Sequence, residues 1–120
     1  MGMEHTGSQN DVCTIKLKNF EGPLDLLFYL IEKNQIDIYD IPIVEITDQY
    51  MEYLFAMQQM DLEIASEFLV MAATLLHIKS KLLLPSRKEE EQEEEDPREE
   101  LIIKLVEYKK VKEFAEILKE

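Results

Sequence analysis

Few residues of this chain could carry out chemistry, and none falls in a pattern that chemistry requires. Four carboxylates, Asp25, Asp37, Asp40 and Asp48, could be tried as an acid–base pair. None sits in a recognisable catalytic motif, and capping or surface roles suit them better. His5 and His77 are the only histidines and Cys13 is the only cysteine, so zinc-ligand spacing is absent and no intrachain disulfide can form. His77 falls within a largely apolar stretch and reads as a structural histidine. Gly22 lacks the glycine-rich neighbours that cradle a phosphate. The expectation is a non-enzymatic chain with no cofactor, no metal and no small-molecule substrate.

Binding is the remaining class, and charge narrows it. The chain has 120 residues and a net charge of -13, with 13 acidic against 7 basic residues over 1–88 and 13 against 6 over 89–120. A free-standing nucleic-acid binder needs a positive surface to displace phosphate counterions, so any link to DNA should be indirect. No apolar run reaches the roughly 18 residues of a membrane span, and residues 1–13 lack the basic and apolar regions of a signal peptide. Those thirteen residues are expected to be a disordered leader, and the cytoplasm is the default location.

The elements that would do the binding are helices. Alternation over 14–20 and again at Ile36-Asp37-Ile38 allows a minimal two-stranded ribbon, which would be marginal alone. Gly22 and Pro23 open a first helix, with Lys33 and Asn34 at its end, since Pro at the first position gives up an amide that has no partner there. A second helix is expected from Asp40–Pro42 to about Gln58. A third is expected to be capped by Asp61 and to run unbroken to Pro85.

The third helix carries two apolar ridges. One holds Ile64, Phe68, Met71, Leu75, Ile78 and Leu82; the other holds Leu62, Ala65, Leu69, Ala72, Leu76 and Leu83. A helix so apolar must be covered on most of its circumference, and two shorter helices cover only part of it. A partner, or a second copy of the chain, should supply the missing wall. Ile64, Phe68, Met71, Leu75 and Ile78 are assigned to the partner, because Ala65 and Ala72 on the other ridge would let a helix of the same domain approach closely.

Residues 86–97 hold seven acids among the eight positions 89–96, which repel one another and read as an extended linker. Asp96 and Pro97 then start a fourth helix over 98–120. Its seam of Leu101, Leu105, Tyr108, Val111, Ala115 and Leu118 follows steps of 4, 3, 3, 4 and 3. Held off by the linker, this helix should order on a partner in helix-in-groove fashion, the alternative being that it folds back onto the N-terminal domain. Lys104, Lys109, Lys110 and Lys112 read as its solvated face. The fold expected is thus mainly α: a three-helix N-terminal bundle over 14–85, an acidic linker, and a separate docking helix.

Three blocks carry a resemblance. They are Phe20-Glu21-Gly22-Pro23-Leu24-Asp25-Leu26-Leu27, Ile36-Asp37-Ile38-Tyr39-Asp40-Ile41-Pro42-Ile43, and Ala65 to Leu76 followed by Lys79-Ser80-Lys81-Leu82-Leu83-Leu84-Pro85. Together and in this order they resemble segregation and condensation protein A, the bacterial and archaeal kleisin, from about Ile15 to the end. The resemblance implies a non-enzymatic bridging subunit of a condensin-like complex in chromosome condensation and segregation during cell division. Its N-terminal domain would pack on the head-proximal coiled coil of an SMC ATPase, through Ile64, Phe68, Met71, Leu75 and Ile78 in the reading above. The segment after the linker would bind a dimer of segregation and condensation protein B (ScpB) through Leu101, Leu105, Tyr108, Val111 and Leu118. A C-terminal winged-helix domain of the family lies outside this chain, which looks like an N-terminal fragment. The alternative is a helical structural protein that buries the same ridges against its own copies.

Overall fold

The computed structural model describes residues 20–85 and 96–119. Four helices follow in order: α1 (Pro23–Lys33), α2 (Ile43–Gln59), α3 (Ser66–Leu83) and α4 (Glu99–Lys119). α1, α2 and α3 surround one core. α1 contributes Leu26, Leu27, Leu30 and Ile31; α2 contributes Ile43, Ile46, Tyr50, Leu54 and Met57; α3 contributes Phe68, Ala72, Leu75 and Ile78. Their spacing of three and four residues puts each set on one side of its helix. The Tyr50 hydroxyl donates to the Phe68 carbonyl at 2.8 Å inside this core, fixing how α3 lies on α2. Burial pushes the Tyr50 phenol well above its ordinary pKa, so it remains a donor.

The first helix ends where its sequence indicates, but the left-handed residue is Gln35 (φ 56°), one past Asn34. Asn34 instead bonds the Leu30 carbonyl and Gln49 through its side-chain amide. The expected strand at 36–38 is absent among the described residues. Ile36 N–H donates back to Ile31 O, Asp40 N–H to Asp37 O, and Tyr39 N–H to the Asp37 carboxylate. Local turns therefore take the donors a ribbon would need. Alternation still put Ile36 and Ile38 against the core, where Ile38 is buried. The first strand, over 14–20, lies outside the described residues except for Phe20, as does the leader. Phe20 packs on Tyr29 and Tyr53 with ring centroids 5.4 and 6.3 Å away.

Asp61 does not cap α3. It is left-handed (φ 60°) and closes α2, with its N–H donating to Gln58 O and the Leu62 N–H donating to Met57 O. This paired 6→1 and 5→2 pattern is a helix C-terminal motif that Asp, a short polar residue, tolerates. α3 begins only after the extended residues 62–65, with Ala65 as its N-cap.

The larger departure is α4. Its first half lies on α1, burying Leu101 and Leu105, with Tyr108 packed edge-on to Phe28 at 5.7 Å. The acidic run therefore does not keep this helix away from the bundle.

Candidate partner-binding surfaces

α3 presents two unlike sides. Phe68, Leu75 and Ile78 are core residues, so the ridge expected to face a partner is the ridge that faces α1 and α2. Ile64 and Met71 are half-buried at its edge. The physical reason is volume: the space between three helices must be filled, and Ala65 and Ala72 are too small to fill it. Only Ala72 of that pair is buried; Ala65 is exposed.

The outward side holds the other ridge. Leu69, Leu76 and Leu83 are 51%, 45% and 64% exposed, with Ala73 and Ser80 between them also exposed. These five positions follow steps of 4, 3, 4 and 3, the heptad spacing of a coiled-coil seam. Val70 and Leu84 extend the apolar area. Lys79 reaches the Asp48 carboxylate at 3.3 Å, tying α3 to one side of α2. Met51 and Phe55 follow Asp48 at helical spacing, and Phe55 is 57% exposed, so the apolar surface continues towards α2. Leu69, Leu76 and Leu83 belong to one of the two ridges read from the sequence, but the inward ridge from Ile64 to Leu82 repeats at the same steps of 4 and 3, so spacing alone carried no signal for which of them faces out.

His77 and Lys81 line a groove of about 660 Å³ between α3 and the start of α4, with Glu67, Glu100 and Lys104. No cluster of His, Cys, Asp or Glu with metal-binding geometry occurs among the described residues, and Cys13 lies outside them.

The candidate residues of α4 divide in two. Leu101 and Leu105 are buried on α1 and Tyr108 is half-buried, whereas Val111 and Leu118 are 66% and 69% exposed. At 3.6 residues per turn the buried Leu101 and Leu105 and the exposed Val111 and Leu118 lie on faces of the helix roughly 100° apart, so α1 covers one face and leaves the other open. Phe114 and Ile117, which sequence reasoning left out, are also exposed and enlarge the open end. Burial and then the Asp25 carboxylate raise the Tyr108 phenol above its ordinary pKa. Lys112 sits 5.6 Å above the Phe28 ring and 3.7 Å from Asp25, so this lysine belongs to the α1 contact and not to a free solvated face.

Arg98, which sequence reasoning did not single out, fastens the start of α4. Its guanidinium donates to the Asp40 carboxylate at 3.0 Å, to the Ile41 carbonyl at 2.8 Å and to both oxygens of Asp96 through Nε and Nη2. The bonds from Arg98 hold the Asp96 carboxyl below its ordinary 3.8. A depressed carboxylate stabilises the fold fully above its unfolded pKa and loses that contribution as pH falls through the lower folded value. The Arg98 Nε–H is therefore expected to be protected relative to its intrinsic exchange rate at neutral pH and to lose that protection once pH falls below the ordinary 3.8 and through the lower folded value. The same protection in Asp96→Asn at neutral pH would show that the Asp96 carboxylate does not hold the guanidinium.

The comparisons with known proteins fit this architecture. The family model described as segregation and condensation protein ScpA matches residues 30–120. A segregation and condensation protein A of Thermoanaerobacter sp. (strain X514) is 64% identical over 110 residues, covering 88% of this chain and 45% of the relative. That of Caldanaerobacter subterraneus subsp. tengcongensis is 66% identical over 108 residues, covering 88% and 44%. That of Listeria innocua is 60% identical over 110 residues, again covering 88% and 44%. The chain thus spans less than half the length of these curated relatives. With the family model covering α2, α3, α4 and the last turn of α1, and several relatives near two-thirds identity, the chain belongs to the segregation and condensation protein A family.

Proposed function

We propose that this chain is the N-terminal part of a non-enzymatic kleisin subunit that joins two proteins of a condensin-like SMC complex in chromosome condensation and segregation. One observation carries the reading: a heptad-spaced apolar row on α3, from Leu69 to Leu83, left uncovered by the chain's own helices. Coiled coils pack on surfaces of that spacing, so the head-proximal coiled coil of an SMC ATPase suits it. Leu69, Ala73, Leu76, Ser80 and Leu83 replace the inward-facing ridge as the contact residues. Leu69, Leu76 and Leu83 are each about half exposed, so covering them would contribute about 1 to 1.5 kcal/mol apiece, which favours a bound state.

The second surface is the seam of α4, from Leu101 to Leu118, offered to a dimer of segregation and condensation protein B. Its open end at Val111, Phe114, Ile117 and Leu118 is where that partner would first touch. Contact with DNA would come through the complex, in keeping with the acidic charge. The test is capture of the 120-residue chain by a purified SMC head with its coiled-coil neck and by the B protein, separately and together. Independent capture by each, and a ternary complex with both, is expected. A tight homodimer by light scattering that persists when the SMC neck is added would favour self-association through the same face.

A further inference from the structure

We infer that the face of α4 turned away from α1 takes a helix of a different protein, one that sets an acidic side chain against Lys110. This rests on the reading above that α4 takes a partner, and it names the side and the chemistry of that contact. Ile103, Val106, Lys110, Phe114 and Ile117 follow steps of 3, 4, 4 and 3, so 14 residues pass in four steps, an average of 3.5. At 3.6 residues per turn this row lies roughly 170° around the helix from Leu101, Leu105, Tyr108 and Lys112, the residues on the α1 side. The bundle and a partner can therefore hold α4 at the same time. Ile103, Phe114 and Ile117 are exposed and Val106 is half-buried. A second helix packs along a row of this period. Near Ile103 the row has a further wall, because the exposed Tyr39, on the turn before α2, shares a cavity of about 400 Å³ with Ile103 and Val106.

The middle of the row selects the occupant. Lys110 is exposed and makes no ion pair among the described residues, although Glu107 and Glu113 stand three residues away on either side. A helix lying along the row covers the ammonium, and a covered charge without a counter-charge is costly. A second copy of this chain supplies none through the same row. The row is symmetric about Lys110, so antiparallel pairing sets Ile103 against Ile117, Val106 against Phe114 and Lys110 against Lys110. Parallel pairing in register also joins the two lysines. Like charges placed together across an interface oppose association. The helix that fits is apolar at both ends of its seam and carries Asp or Glu at the middle.

Purified segregation and condensation protein B is the probe, with the 120-residue chain. A carbodiimide, which joins an amine to a carboxylate in contact, is expected to link Lys110 to an Asp or Glu of the B protein. It should leave Lys104, exposed roughly 120° around the helix from the row, unlinked. Lys110→Glu should weaken binding about a hundredfold, and Lys104→Glu less than about threefold. Lys110→Met makes the row wholly apolar yet leaves the partner's carboxylate unpaired, so it should weaken binding about tenfold. Tighter binding of Lys110→Met, or a complex that forms without the Lys110 cross-link, would overturn the proposal. A wild-type homodimer that Phe114→Glu combined with Ile117→Glu dissolves would also overturn it, by placing a second copy on the row. The same double substitution tests the underlying reading: both side chains are exposed, so the chain should stay folded and lose capture of the B protein. Undiminished capture would remove the reading and the proposal together, whereas lost capture beside tighter binding of Lys110→Met would spare the reading and remove only the acid.

Discussion

Leu76→Glu combined with Leu83→Glu is expected to abolish capture by an SMC neck while leaving the thermal unfolding of the chain nearly unchanged. Both side chains are about half exposed or more, so a carboxylate at either site remains hydrated in the free protein. In a coiled-coil seam the same carboxylates would be desolvated without a partner, a cost of several kcal/mol for each charge, which is enough to reduce binding by a thousandfold or more for the pair. Leu75 supplies the contrast. It is adjacent in sequence to Leu76 but fully buried, and Leu75→Ala should cost about 2 to 5 kcal/mol of stability. Calorimetric titration against the SMC head and neck, beside a circular-dichroism melt, separates the two effects. Neck binding that survives the double substitution in a folded chain would remove the outward face of α3 from the interface.

This contrast between neighbouring residues also shows what the sequence could and could not reveal. The start and end of α1 were legible because Pro23, Lys33 and Asn34 are local signals, and the apolar periodicity of α2 predicted Ile43, Ile46, Tyr50, Leu54 and Met57 on one side, all of them buried. The two sides of α3 were not distinguishable from its own residues, because both are apolar. What decides between them is the volume that α1 and α2 leave open and the Tyr50 hydrogen bond to Phe68. Asp61 misled for a different reason: an aspartate before an apolar run can cap the next helix or end the previous one, and the backbone bonds to Gln58 and Met57 select the second. In α4 the seam was legible and its location was not. A run of glutamates repels itself whether its ends lie far apart or close together, so it carried no information about where Asp96 returns. Arg98 does carry that information, through Asp40 and the Ile41 carbonyl, but only once the turn before α2 has brought those acceptors together.

Leu105→Ala is expected to detach α4 from the bundle without unfolding the other three helices. Leu105 is 0% exposed and is, with Leu101, the apolar anchor of the α1–α4 contact. Truncating a buried leucine costs about 2 to 5 kcal/mol, including the cavity it leaves. The two buried leucines contribute about 3 to 6 kcal/mol in total, with smaller shares from the half-buried Ile102, Val106 and Tyr108, and the entropy of ordering the helix is subtracted from this, so the loss of one leucine removes a large part of what holds α4 down. The remaining fastenings at Arg98 and Lys112 are ion pairs with one solvent-exposed partner each, Asp40 at 77% and Lys112 at 47%, and pairs screened in this way contribute about 1 kcal/mol each. Once free, a helix of 21 residues is marginal in water, so α4 should lose much of its helical signal. Hydrogen exchange would then show α4 amides exchanging nearly as in an unfolded peptide, while those of Leu27, Leu54 and Leu75 keep their protection. Simultaneous loss in all four helices would instead mean that α4 is an integral layer of the fold.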